Sequence, residues 1–155
     1  MHNIKTVKSD EFFPAIQELL QNNHTVRIIV VGISMMPFLR ENIDSVELSV
    51  ADFNELHFGQ IPLIKRMNGQ YILHRLVYKK KNCFYISGDA QNWIEGPVMP
   101  DQLIAVVTRI WRNDKPISPS SFLWQSLSFI WWLRLPARYI LLYPVKWIIR
   151  RISKL

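Results

Sequence analysis

Three kinds of side chain in this sequence could together hydrolyse an acyl bond: the hydroxyl of Ser34, the imidazole of His74 and the carboxylates of Asp89 and Glu95. A serine hydroxyl is a poor nucleophile until a base accepts its proton. A neutral imidazole suits that task near pH 7, and a carboxylate on its far nitrogen fixes the tautomer and stabilises the imidazolium. None of the three is informative alone. A serine on a turn is as a rule a turn former, because its hydroxyl satisfies nearby backbone groups, and a lone buried histidine is more often a satisfied core residue. Whether the three meet in space is not written in composition.

The elements that would have to position them can be read along the chain. Ser34 lies in Gly32-Ile-Ser-Met-Met-Pro-Phe-Leu39, directly behind the apolar run Val26 to Val31. Gly32 permits a backbone angle that other residues avoid and Pro37 stops the strand, so Ser34 is expected exposed on a turn at the strand's end. Upstream, Ser9-Asp10-Glu11 followed by Phe12, Phe13, Ile16, Leu19 and Leu20 predicts a helix over 9–22, with Pro14 tolerated near its start. From 25 to 111 the pattern turns to short β-type runs at 25–31, 44–50, 61–67, 71–78, 83–87 and 103–111. Asn68-Gly69 predicts a two-residue hairpin and Lys79 to Asn82 a polar turn. The run 71–78 is apolar on both sides of its alternation, so His74 is expected to be at least partly buried. Residues 112–121 are polar and hold two prolines, which reads as a linker. The expected organisation is an N-terminal helical segment (1–24), a β domain (25–112), a linker (113–121) and a tail (122–155).

A chain of 155 residues, 49% hydrophobic and 20% charged, suits one domain with a real core plus an appendage. The single cysteine, Cys83, has no disulfide partner and reads as a buried strand position. No group of Cys and His has zinc spacing, so neither metal nor cofactor is expected. The net charge of +7 is unevenly spread: residues 1–114 carry 12 basic and 12 acidic residues, whereas 115–155 carry seven basic residues and no acid. That excess is interleaved with Trp124, Trp131, Trp132, Tyr139, Tyr143 and Trp147. Such a mixture suits a lipid headgroup region better than a nucleic acid, for which no helix-turn-helix or base-stacking platform is visible. Phe122 to Leu133 and Leu135 to Ile149 are too short or too interrupted for a comfortable span, so two amphipathic helices in the interface plane are expected, packing on the β domain or on a second subunit being the alternative. The first residues lack the features of a signal peptide, so the N-terminus is expected in the cytoplasm, with the membrane side of the site left open.

The same residues resemble the signal peptidase I superfamily, which includes the self-cleaving peptidase domains of LexA-type repressors. Its Gly-x-Ser-Met-x-Pro-x-Leu box is matched by Gly32, Ser34, Met35, Pro37 and Leu39. Its base sits in a strand ending in base-Arg-hydrophobic, matched in the histidine version by His74-Arg75-Leu76. Its Gly-Asp box with a second acid six residues on is matched by Gly88-Asp89 and Glu95, the second acid usually being Asp. Asn42-Ile43-Asp44 keeps the acid but not the glycine of another family strand, Gly59-Gln60-Ile61 lacks its Asp, and 103–107 resembles the returning strand. The resemblance runs from about Val26 to Ile110. It implies a mostly β fold, a coiled β-sheet peptidase domain with an N-terminal helix and a C-terminal amphipathic helical tail. It also implies a membrane-associated serine endopeptidase that cleaves a leader or signal-type precursor peptide; the family's usual N-terminal membrane anchor is not seen here, and the basic aromatic tail is expected to replace it on an anionic membrane surface. In that reading Ser34 is the nucleophile, His74 the general base, Glu95 or Asp89 its orienting acid, the Ser34 N–H an oxyanion donor, and Met35 and Pro37 line the substrate cleft. The lost Gly-Asp features and the Glu at 95 leave room for a catalytically silent relative that binds a peptide or scaffolds a membrane complex.

Overall fold

A computed structural model describes residues 9–133; the expectations for 1–8 and 134–155 lie outside them. The protein is mostly β, all pairings antiparallel, with an N-terminal helix. Helix α1 (Ser9–Gln21) runs through Pro14 and ends where Asn23 takes a left-handed conformation, with the His24 N–H donating to the Leu19 carbonyl. Its apolar face, led by Ile16 and Leu20, packs on the larger sheet, and Phe13 stacks on Tyr71 at 4.0 Å.

The larger sheet contains β1 (Val26–Ile29), β2 (Asp44–Ser49), β3 (Pro62–Lys65), β4 (Tyr71–Leu73), β8 (Leu103–Arg112) and β9 (Lys115–Ile117). Its order is β1-β2-β8-β3-β4, with β9 also on β8. The smaller sheet is β5 (Arg75–Lys79), β6 (Phe84–Ser87) and β7 (Glu95–Val98). One core lies between α1 and the large sheet and takes in Met35 and Leu39; a second, built on Ile64, Leu76, Phe84, Ile86 and Val106, joins the two sheets. Helix α2 (Phe122–Leu133) follows, and its Trp124 is 8% exposed within the first core.

Several elements differ from expectation. The expected strand 71–78 breaks at His74: residues before it pair with β3 and residues after it with β6, so the chain changes sheets there. The Asn68-Gly69 hairpin has a longer loop, in which the Arg66 N–H donates to the Gln70 carbonyl and the Gly69 N–H to the Arg66 carbonyl. β7 was not expected, because Glu-Gly-Pro-Val contains both residues that weaken a strand reading. Within the expected linker, Asn113 and Asp114 take φ of 49° and 58° and turn the chain back on itself, so β9 pairs with β8 as a two-residue hairpin. Cys83 is half-buried just before β6.

Candidate active site

The Ser34 turn is fixed at both ends. Gly32, at φ 87°, opens it, and its N–H donates to Glu41 Oε1 at 2.9 Å. At the far end Asp44, fully buried, accepts from the Arg40 N–H at 2.9 Å and from the side chains of Arg40 and Arg112, and Arg112 also donates to the Phe38 carbonyl at 2.8 Å. Burial raises the Asp44 pKa, but the bonds from Arg112 and Arg40 outweigh it and hold the group down at about 2. Between these anchors Met35 and Leu39 turn into the core, while Met36 and Pro37, joined by a cis peptide, are exposed. Met35, at 2% exposure, contributes packing and so does not line an open cleft, whereas Ile33, Met36 and Pro37 are the exposed residues of the turn.

Ser34 itself is half-buried, and its carbonyl accepts from the Ala90 N–H at 2.8 Å. The Gly88 turn passes so near that a Cβ at 88 would stand 2.6 Å from that carbonyl oxygen, and the backbone there leaves no room for a side chain. This contact brings the serine loop to the Gly-Asp box. Ser87, just before the box, is the cross-strand partner of Arg75, and Arg75 follows His74. The hydroxyl loop is thus joined by main-chain contacts to the histidine strand and the acidic turn, which lie 40 and more residues further along the sequence. Ser34 Oγ makes no hydrogen bond among the described residues, with His74 or otherwise.

His74 is 2% exposed at the point where the chain changes sheets, its N–H directed to the Pro62 carbonyl at 3.4 Å. Burial, then the Arg66 cation, lower its pKa, and the Glu95 carboxylate raises it; the balance is about 4 against an ordinary 6.5. The imidazole is therefore neutral at pH 7, the state a general base requires. Its Nδ1 is buried without a hydrogen-bond partner, and Glu95 Oε2 lies 3.8 Å away, beyond hydrogen-bond reach.

The two carboxylates are differently engaged. Asp89 accepts two bonds from Arg75, Nε to Oδ1 at 2.8 Å and Nη2 to Oδ2 at 2.7 Å, in a buried pair, while Arg75 Nη1 donates to the Gly59 carbonyl. Of the two acids, Glu95 is the one beside His74. Glu95 in turn takes a two-pronged bond from Arg66, whose Nε stands 2.6 Å from Oε1 and whose Nη2 meets Oε2. That bond, more than any other influence, holds the Glu95 pKa below the usual carboxylate range.

Helix α2 braces the same region. Trp131 Nε1 donates to the Asp89 carbonyl at 2.8 Å, Trp124 and Trp131 meet Phe38 edge-on at 5.4 and 6.0 Å, and Phe129 meets Phe58 at 6.4 Å. The opposite face of α2 is apolar and open, with Phe122 88% and Leu123 71% exposed and Leu127, Ile130 and Leu133 about half exposed. Sequence reasoning overlooked Arg66, for which no local signal exists, and took Arg75 only as part of a motif, its pairing with Asp89 being set by the fold. Among the described residues no cluster of His, Cys, Asp and Glu could hold a metal, and no helix is long and apolar enough to cross a membrane.

Set against protein-family models, curated proteins and solved structures, the chain matches none. The resemblance to signal peptidases rests on its own motif residues.

Proposed function

We propose that this protein is a membrane-associated serine endopeptidase of the signal peptidase type, acting on a leader or signal-type precursor peptide. The observation that carries the reading is the junction of the Ser34 turn with the Gly88–Ala90 turn, beside a neutral buried His74 that has Glu95 at 3.8 Å. In the reaction His74 takes the Ser34 proton as Oγ attacks the peptide carbonyl and gives it to the departing amine as the C–N bond breaks; neutral again, it takes a proton from the water that hydrolyses the acyl-enzyme and returns it to Ser34 Oγ. The Ser34 N–H, which donates to no described residue, is the oxyanion donor; such a donor is worth about 3–4 kcal/mol of transition-state stabilisation. The substrate adds as an extended strand at the β1 edge of the large sheet, the edge whose strand leads to Ser34, while β4 at the opposite end of the order leads to His74. No cofactor, metal or nucleic acid enters the scheme.

The anionic membrane surface is reached through the C-terminal region. The open apolar face of α2 supports this, as do six basic residues without an acid after residue 133. A second reading, a catalytically silent relative that binds a peptide or scaffolds a complex at the membrane, is favoured by one observation: Glu95 is committed to Arg66 while His74 Nδ1 has no partner. A fluorophosphonate probe separates the two. Labelling of the wild type, lost in Ser34→Ala and reduced at least a hundredfold in rate in His74→Ala, supports the peptidase; equal labelling of wild type and Ser34→Ala, or none in either, sinks it.

A further inference from the structure

The position of Glu95 is not set by its own strand alone. Glu95 opens β7, a four-residue strand at the edge of the smaller sheet, and its side chain remains a quarter exposed, so the chain leaves its carboxylate several rotamers. What restricts them is Arg66, the first residue after β3 of the larger sheet, at the mouth of the β3–β4 loop. The guanidinium meets both oxygens of Glu95, so the carboxylate is fixed in plane as well as in place, which a single bond would not do. Arg66 is itself held: its N–H donates to the Gln70 carbonyl, and its Nη1 donates to Gln70 Oε1 at 2.7 Å. The oxygen that Nη2 grips, Oε2, is the one 3.8 Å from His74 Nδ1.

We infer that Arg66 is a positioning residue for the site: by its two-pronged bond it holds Glu95 Oε2 3.8 Å from His74 Nδ1, facing the imidazole without yet bonding it. This rests on the reading of Ser34, His74 and Glu95 given above. Arg66 touches neither substrate nor the reacting atoms and acts only through Glu95. The fork also keeps the carboxylate charge balanced while the imidazole is neutral, and leaves it about one ångström short of the hydrogen bond that an imidazolium would call for. Protonation of His74 during attack then finds its acceptor already aimed. The charged groups around His74 are Glu95 on β7 and Arg66 on the loop; Arg75, next in the chain, is directed to Asp89 and the Gly59 carbonyl.

The test reads the His74 ring directly. His74 is one of four histidines, so its Cε1–H resonance is assigned by its loss in His74→Gln. Titrations compare wild type, Arg66→Gln, Arg66→Lys, Glu95→Gln and the double variant Arg66→Gln/Glu95→Gln. In Arg66→Gln the released carboxylate turns to the imidazole, and the His74 midpoint rises by at least one pH unit. Arg66→Lys, which keeps the cation but not the fork, gives less than half that rise. In the Glu95→Gln background, adding Arg66→Gln moves the midpoint by less than half a unit. Equal midpoints in wild type and Arg66→Gln, or the same rise with and without Glu95, overturn the inference. Should Arg66→Gln not fold, Gln70→Ala loosens the guanidinium from its second partner, and an unmoved His74 midpoint there overturns it equally. None of these arms needs turnover, so absence of Ser34 labelling in wild type retires the peptidase reading without touching this result. Where turnover is present, Arg66→Gln lowers kcat at least tenfold with KM changed less than threefold, a split that a purely structural role would not produce.

Discussion

Lowering the pH from 7 to 4 should destabilise this protein largely through one residue, His74. Its imidazole is buried and neutral, with a pKa of about 4 against 6.5 in an exposed chain. Because the folded value lies below the unfolded one, the unfolded chain holds more protons between the two, and stability rises with pH across that window. The contribution is whole above pH 6.5 and is lost progressively as pH falls towards 4. A difference of roughly 2.5 units at about 1.4 kcal/mol each amounts to about 3 kcal/mol, a large share of the 5–15 kcal/mol that holds an ordinary domain together. Asp44 acts in a lower window. Its pKa is depressed to about 2, so its share is present above 3.8 and disappears as pH falls from there towards 2. Urea unfolding followed by tryptophan fluorescence at pH 7, 6, 5 and 4.5, at constant ionic strength, would be run on wild type and on His74→Gln. The wild type should lose about 2 kcal/mol more than the variant between pH 6.5 and 4.5, whatever the variant's absolute stability. Parallel curves would mean that His74 is not held neutral by burial, and the account of the base would fail with it.

The two acids should separate in kind. Glu95→Gln should lower kcat for a peptide substrate by a hundredfold or more while the unfolding midpoint stays near that of wild type, whereas Asp89→Asn should cost about 3–5 kcal/mol in urea unfolding, because it leaves the buried Arg75 guanidinium without its counter-charge; a silent Glu95→Gln with an inactive but fully folded Asp89→Asn would reverse the assignment. For the membrane, Phe122→Glu/Leu123→Glu on the open face of α2 should reduce flotation with vesicles containing phosphatidylserine at least tenfold without altering circular dichroism, since neither side chain is packed; unchanged flotation would show that this face does not meet lipid.

The elements legible in the sequence were those whose stability is local. The apolar stripe of α1, the alternating runs of β1, β2, β3, β6 and β8, and the turn behind Val26 to Val31 with Ser34 on it all follow from side-chain periodicity and from the backbone preferences of Gly32 and Pro37. The residue types of a hydroxyl, an imidazole and two acids were equally visible, as was the concentration of charge after residue 115. What the sequence left open depended on partners distant along the chain. The run 71–78 is a continuous β pattern, and only the competing pairings with β3 and β6 break it at His74. Asp89 and Glu95 are both carboxylates of one box; their difference comes from Arg75 pairing with one and Arg66 with the other. Helix α2 reads as one apolar segment of 12 residues, but Trp124 packs in the core and Trp131 bonds the Asp89 carbonyl while Phe122 and Leu123 stay open. Periodicity records which residues avoid water. Which charge neutralises which, and which apolar face is covered, is decided only when segments far apart in the chain are folded against one another.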